Sequence, residues 1–125
     1  KAYGSFIRRY GSYTREGAPL PSLVEFTLKD DARGDPLITE DTLAALQILT
    51  PEAIRLIKHT TRRATALIQD NLASKGMELI DIKLEFGEAD GQIIIIDEIS
   101  GDAMRVVKKG KILSPKELCS LVLES

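Results

Sequence analysis

The stretch TPEAIRLIKHTTRRATALIQDNLASKG, residues 50–76, carries signals for both ends of one long helix. Thr50 can cap the first turn, Pro51 fits the first helical position, and Gly76 suits the left-handed residue that follows a helix. Apolar residues recur along it at helical spacing and provide one face to bury: Ala53, Ile54, Ile57, Ala64, Leu67, Ile68 and Leu72. A helix of this length with one apolar face predicts a layer that covers a sheet.

The sheet is predicted from segments on both sides of that helix. Residues 78–87 alternate apolar and charged side chains, residues 92–98 contain four consecutive isoleucines, and residues 23–29 have the composition of a third strand. The chain is therefore expected to have an α+β fold, with an antiparallel sheet packed against the long helix. A two-residue period places three charged residues of the first strand on one face: Asp81, Lys83 and Glu85.

The linker between residues 78–87 and 92–98 determines which side chains face each other. Its sequence, EADGQ, suits a three-residue loop over 89–91, because glycine takes the left-handed third position without strain. That loop pairs Glu88 with Gln92 and Lys83 with Asp97. A four-residue loop would instead send Asp97 to the other face of the sheet.

The charges on this face are open to two interpretations, a solvated surface or a site. The isoleucine-rich strand is apolar on both faces, which is typical of a covered strand, so charges beside it would be partly desolvated and paired or bound to a metal. Glu85 and Asp97, a diagonal apart, could share Mg²⁺, and Lys83 could hold a phosphate or neutralise the two carboxylates. The chemistry of the residues leaves both interpretations open.

The segment KDDARGDP, residues 29–36, has a similar ambiguity. Aspartate, glycine and proline are turn formers, and a solvated turn explains them. However, four charged residues crowd one strand exit, where binding groups tend to lie: Lys29, Asp31, Arg33 and Asp35. The segment is either a surface turn or a binding loop.

Three other segments are less decisive. Residues 3–10 are β-prone but are interrupted by Gly4 and Ser5. Residues 39–49 are a moderate helix candidate. Residues 114–124 repeat the capped pattern of the long helix, with Ser114 as cap and Pro115 in the first turn.

Composition excludes several classes of function. The chain has 125 residues, the size of one domain, and a net charge of −2, so no basic excess favours nucleic acid. The single cysteine and single histidine are too few for a zinc site, and the longest apolar run is far short of the roughly 20 residues that span a bilayer. We expect a protein of a reducing compartment with no membrane role. Because the chain begins with Lys1, we also expect it to be a piece of a longer polypeptide.

Four segments, GSFIRRYG, EFTLKDDARGDPLI, LIDIKLEFG and IIIIDEISGDAMR, resemble in order the phosphoribosylaminoimidazole-succinocarboxamide synthases of purine biosynthesis. The patterns D-x-K-x-E-F-G and D-E-x-S-x-D-x-x-R are specific, and the matches cover most of the chain. The resemblance implies a cytoplasmic ligase with an ATP-grasp-like fold. Such an enzyme condenses carboxyaminoimidazole ribonucleotide with L-aspartate, using ATP and Mg²⁺, through an acyl phosphate.

The resemblance also implies roles for individual residues. Glu85 and Asp97 would carry Mg²⁺, and Lys29 would contact the ATP phosphates. The residues implied in catalysis are Asp81, Lys83 and Arg105. The residues implied in the substrate pocket are Ser5, Asp35, Asp81, Lys83, Asp102 and Arg105.

The chain departs from the family pattern in two places. The family generally has proline where this chain has Gly101, and it often supplies a basic substrate contact where this chain has Leu118 and Cys119. The resemblance further implies that residues 1–125 are a single domain of a longer enzyme. An N-terminal nucleotide-binding domain and a C-terminal end would lie outside this chain.

Two functions are consistent with these observations. One is a ligase domain that is inactive without the missing part, and the other is a truncated or diverged domain that only binds nucleotide or a partner. The presence of five charged residues as a set favours the ligase: Asp81, Lys83, Glu85, Asp97 and Arg105. A homo-oligomer is compatible with either function.

Overall fold

The computed structural model describes residues 1–95 and 104–114. Two compact units are present: a first unit of Lys1–Pro21 with the chain from Ala64 onward, and a second unit of Ser22–Arg63. The described helices and strands are α1 Ser5–Tyr10, β1 Phe26–Thr27, β2 Leu37–Ile38, α2 Glu40–Ala45, α3 Pro51–Ala73, β3 Met77–Ile82, β4 Phe86–Ala89, β5 Gln92–Ile95, β6 Met104–Lys108 and β7 Lys111–Ile112. Antiparallel pairing together with one long helix confirms the α+β class.

The long helix α3 has the ends that the sequence predicts. The Thr50 hydroxyl accepts a hydrogen bond from the Ala53 amide at 3.1 Å, and Pro51 is the first helical residue. Gly76 follows the helix with φ +73°. Within the described residues, no helix is long and apolar enough to cross a membrane.

The first unit packs a sheet of order β3-β6-β7 against the C-terminal part of α3. Its core consists of Leu72 from the helix, Met77 and Leu79 from β3, and Val106 from β6. The Val106 side chain has no exposed surface. Leu79 and Val106 are direct partners in the register. The hydrophobic effect of this cluster therefore joins α3, β3 and β6.

The second unit contains β1, β2, α2 and the first part of α3. Thr39 caps α2 by accepting a hydrogen bond from the Thr42 amide at 3.1 Å, so a helix forms within the predicted 39–49 segment. Lys58 of α3 forms an ion pair with Glu40 of α2 at 3.1 Å. Three hydrophobic residues of this unit are buried: Leu43, Ile54 and Ile57.

The prediction of one sheet containing 23–29, 78–87 and 92–98 is wrong. Among the described residues, β1 pairs with β2, β3 with β6, and β4 with β5, in three separate sheets. Residues 78–87 are also not one strand, because β3 ends at Ile82 and β4 begins at Phe86. Within β3 itself, a β-bulge between Leu79 and Asp81 also breaks the alternation of side chains.

The β4–β5 hairpin has a different register from the predicted one. Ala89 pairs with Gln92, and Glu88 faces Ile93, so the loop has two residues rather than three. Asp90 and Gly91 have φ +52° and +78°, as a type I′ turn requires, and this turn matches the twist of the flanking strands. Asp97 lies outside the described residues. Its predicted pairing with Lys83 followed from a three-residue loop, so the two-residue loop removes the basis for that prediction.

The structure describes residues 3–10 but not the predicted C-terminal helix. Residues 3–10, which are β-prone, form the short helix α1 from Ser5 to Tyr10. The rings of Phe6 and Tyr10, one turn apart, lie 4.8 Å from each other, and Arg8 and Arg9 lie in the last turn, where positive charge is favourable. The predicted C-terminal helix from residue 115 onward lies outside the described residues.

Candidate active site

Asp81 and Arg105 form the best-defined charged contact of the first unit. They are direct partners across β3 and β6, at the first position after the bulge. The Arg105 Nε donates to Asp81 Oδ1 at 2.9 Å, and Nη2 donates to Oδ2, so the pair is bidentate. The hydrogen bond to Asp81 raises the pKa of the Arg105 guanidinium, while partial burial opposes that rise.

The geometry of this pair leaves Arg105 able to bind an anion. The two side chains are 43% and 40% exposed for Arg105 and Asp81 respectively. Asp81 takes two of the five N–H donors that a guanidinium carries. A planar fork held in this way can present its other donors to a carboxylate or a phosphate.

The turn before α1 lies against the same guanidinium. A Cβ placed on Gly4 would lie 2.6 Å from Arg105 Nη1. Ser5 follows Gly4 directly and is exposed at the start of α1. The structure thus brings the Gly4–Ser5 turn to the Asp81–Arg105 pair. Gly4 is a contact that sequence reasoning missed.

The first residues of the chain hold this turn beside β3. The Lys1 main-chain nitrogen donates to the Ile80 carbonyl at 2.8 Å, and the Lys1 Nζ lies 2.6 Å from Glu78 Oε1. Ala2 is fully buried, and its amide donates to the Ala18 carbonyl at 2.9 Å. These contacts fix the backbone that leads to the turn.

Lys83 and Glu85 lie between β3 and β4, where the chain has no regular strand. Lys83 is exposed and Glu85 is half-buried. The prediction that they share one sheet face with Asp81 therefore stays untested, because the alternation on which it rests applies only within a continuous strand.

The metal prediction rests on Glu85 and Asp97, and only Glu85 is described. In residues 1–95 and 104–114, no group of three or more His, Cys, Asp or Glu side chains could hold a metal ion. Mg²⁺, however, commonly takes only one or two carboxylates and completes its shell with water and phosphate oxygens. The half-buried Glu85 carboxylate is a suitable ligand of that kind. Asp102, a predicted pocket residue, lies outside the described residues.

The 29–35 loop gathers charged residues in the second unit, as its sequence indicates. The Asp30 amide donates to Asp35 Oδ1 at 2.7 Å, and the Asp35 amide donates to the Asp30 carbonyl at 3.0 Å. Arg33 forms an ion pair with Asp30 at 2.9 Å. The Lys29 Nζ lies 3.4 Å from Asp31 Oδ1 and 3.9 Å from Asp35 Oδ2. Local contacts therefore place Lys29 beside the half-buried Asp35.

The fold is α+β, and a bidentate arginine–aspartate pair of the kind in its first unit is suited to binding small anionic molecules. The family described as SAICAR synthetase matches residues 1–118, and the chain belongs to this family. A Clostridium tetani relative named phosphoribosylaminoimidazole-succinocarboxamide synthase is 48% identical over 126 residues, covering 99% of this chain and 56% of the relative.

Solved structures agree with this result. One described as a SAICAR synthetase has a TM-score of 0.86 and 36% identity, covering 99% of this chain and 65% of that one. A second, described as a SAICAR synthetase in complex with ADP, has a TM-score of 0.82 and 31% identity, covering 98% and 56%. The chain spans about half the length of the curated relatives it matches.

Proposed function

We propose that this chain is part of a cytoplasmic ATP-dependent ligase of purine biosynthesis. The ligase would join carboxyaminoimidazole ribonucleotide to L-aspartate, giving the succinocarboxamide, ADP and phosphate. The observation that carries the proposal is the bidentate Asp81–Arg105 pair. The two residues lie on adjacent strands of this chain, which belongs to the SAICAR synthetase family. It offers a rigid anion-binding fork to substrates that are all anions.

The reaction needs an activated carboxylate, because a carboxylate is a poor electrophile. A carboxylate oxygen of the ribonucleotide attacks the γ-phosphorus of ATP, the bond to the bridging oxygen breaks, and ADP leaves. The aspartate nitrogen then attacks the acyl carbon. The bond from that carbon to the phosphate oxygen breaks, phosphate leaves, and the nitrogen loses a proton. The protein's contribution to such a reaction is positioning and neutralisation of charge, as expected of an ATP-grasp-like fold.

Residues of the first unit bind and orient the substrates. Arg105 holds an anionic group of a substrate, and Asp81 orients Arg105. Ser5, exposed at the start of α1, offers a hydroxyl to the same ligand. Lys83, exposed between β3 and β4, offers a charge to a phosphate or carboxylate. Asp102 completes the proposed pocket.

The 29–35 loop and Glu85 provide for the nucleotide and the metal. Lys29 contacts the ATP phosphates, and Asp35, whose carboxylate accepts a hydrogen bond from the Asp30 amide, lines the substrate pocket. Glu85 and Asp97 would hold Mg²⁺. Bound there, the ion would neutralise charge on the phosphate oxygens.

The same proposal implies that residues 1–125 alone fold at least partly but do not catalyse. The relatives are about twice as long, so we place one wall of the ATP cleft on the part that this chain lacks. Positioning of reactants can supply about 7–11 kcal/mol of a barrier, and an open cleft admits water to a reactive acyl phosphate.

The test is a ligation assay that measures ADP and succinocarboxamide formed from ATP, the ribonucleotide and aspartate. We expect equal amounts of both products from the complete protein and none from residues 1–125. Arg105→Ala in the complete protein should abolish most of the activity. Arg55→Ala, which changes an exposed arginine of α3, should not. A complete protein without product would favour the alternative of a domain that only binds nucleotide or a partner. Comparable turnover by residues 1–125 would show that the site is misplaced.

A further inference from the structure

Gly4 has a backbone conformation that only glycine adopts readily. Its φ is +57° and its ψ is −127°. For a residue with a Cβ this combination is sterically unfavourable, since it lies outside the small left-handed helical region. The conformation alone therefore favours glycine at the turn before α1.

The space around Gly4 gives a second and independent reason. A Cβ on Gly4 would lie 2.6 Å from Arg105 Nη1, 3.1 Å from Nη2 and 3.3 Å from Cζ. All three atoms belong to the guanidinium, which could normally move aside. Here Asp81 holds the same guanidinium through Nε and Nη2, so a displacement would distort the bidentate pair.

The backbone of Gly4 has little freedom to withdraw. Three residues before it, the Lys1 nitrogen is bonded to the Ile80 carbonyl on β3. Two residues before it, Ala2 is buried and bonded through its amide to Ala18 and through its carbonyl to the Gly17 amide at 2.8 Å. A side chain at position 4 would therefore move Arg105 rather than the turn.

We propose that Gly4 is a positioning residue for Arg105. Its bare Cα lies against the guanidinium and Asp81 holds the edge carrying Nε and Nη2, so together they set where the other donors of Arg105 point. The group that Arg105 then binds is a carboxylate or phosphate of a substrate. This inference rests on the proposed function for the identity of the substrates.

The experiment compares Gly4→Ala, Arg105→Ala and the double variant in the complete protein. The matched control is Gly76→Ala, because Gly76 also has a positive φ, +73°, but has no atom within 4 Å of an added Cβ. KM is measured for the ribonucleotide, aspartate and ATP in turn, with the other two saturating. We expect Gly4→Ala to raise one of the three KM values about tenfold, with a smaller change in kcat. The KM that rises identifies the molecule whose anion Arg105 binds.

Two results separate positioning from a purely structural role. In the Arg105→Ala background, Gly4→Ala should cause no further rise in that KM, and Gly76→Ala should change it less than about twofold in either background. An equal effect of Gly4→Ala with and without Arg105 would overturn the proposal. If Gly4→Ala lowers the folded fraction, the backbone strain is common to it and to the double variant, so a larger folded fraction in the double variant supports the proposal and an equal folded fraction overturns it.

The inference can also fail separately from the ligase function. If the complete wild-type protein does not ligate, the proposed function is wrong. Urea unfolding of the wild type, Gly4→Ala, Arg105→Ala and the double variant still tests the contact between Gly4 and Arg105. Non-additive effects of Gly4→Ala and Arg105→Ala on the free energy of unfolding support it. Additive effects overturn it.

Discussion

The Asp81–Arg105 pair and the 29–35 loop are both clusters of opposite charge, but different contacts hold them. The pair joins residues 24 positions apart, across two strands that share a hydrophobic core with α3. The loop joins residues three and five positions apart through a short turn over Asp31–Arg33. The pair therefore depends on the packing of the first unit, whereas the loop depends on its own backbone.

This difference bears on what each cluster can do. A bidentate pair on paired strands keeps one orientation, which suits recognition of a planar or tetrahedral anion. A loop held by local hydrogen bonds on the surface can open without unfolding the unit around it. We expect the pair to keep a fixed geometry and the loop to adapt its geometry to what it binds.

The largest expected effect comes from the core beneath the pair. Leu72→Ala should lower the free energy of unfolding by about 3 kcal/mol, because Leu72 is 3% exposed and its loss leaves a cavity. Leu67→Ala, on the same helix but 68% exposed, should change it by less than about 0.5 kcal/mol. Urea unfolding of the complete protein measures both.

Hydrogen exchange measures whether the strands and the 29–35 loop lose stability together. In Leu72→Ala the amides of Leu79 and Val106 should lose protection, and the amides of Arg33 and Asp35 should not. Equal losses in the strands and in the loop would show that the two clusters share one source of stability.

A smaller effect is expected from the pair itself. Asp81→Asn should lower the free energy of unfolding by about 1 kcal/mol, since one charge-assisted bond is lost but both side chains are about two-fifths exposed. Asp70→Asn, at an exposed position of α3, is the control and should not lower it. A loss no greater than the control would mean that the pair does not hold Arg105 in solution.

The smallest effect is expected in the loop. Arg33→Ala should change the free energy of unfolding by only a few tenths of a kcal/mol, because the Arg33 side chain is 77% exposed where it meets Asp30. Its consequence should be faster exchange of the Asp35 amide. A loss as large as that of Asp81→Asn would contradict the local character of the loop.

Local features of the fold were predictable from sequence. The ends of α3 follow from Thr50, Pro51 and Gly76, since caps and left-handed residues act within one turn. The Asp90-Gly91 turn is also predictable from sequence, because Asp-Gly is a strong two-residue hairpin signal. The prediction of a three-residue loop over 89–91 is wrong. The bulge after Leu79 was not predictable, since it depends on a partner strand about 25 residues away.

The candidate site follows the same division. Crowding of Lys29 and Asp35 was evident from spacing, because the loop is held by neighbours in sequence. Asp81 and Arg105 were identified only by family resemblance, and their pairing depends on the β3–β6 register. Gly4 was missed because a glycine in sequence shows neither its φ nor the guanidinium beside it.

We propose that the complete protein activates a carboxylate through an acyl phosphate before joining it to aspartate. The direct measurement uses ribonucleotide labelled with ¹⁸O in both carboxylate oxygens and mass analysis of the phosphate released during a single turnover. Since the oxygen that attacks the γ-phosphorus stays with phosphorus when the amide forms, we predict one ¹⁸O atom in each phosphate. Unlabelled phosphate, with ATP consumed and amide formed, would exclude an acyl phosphate formed on this carboxylate.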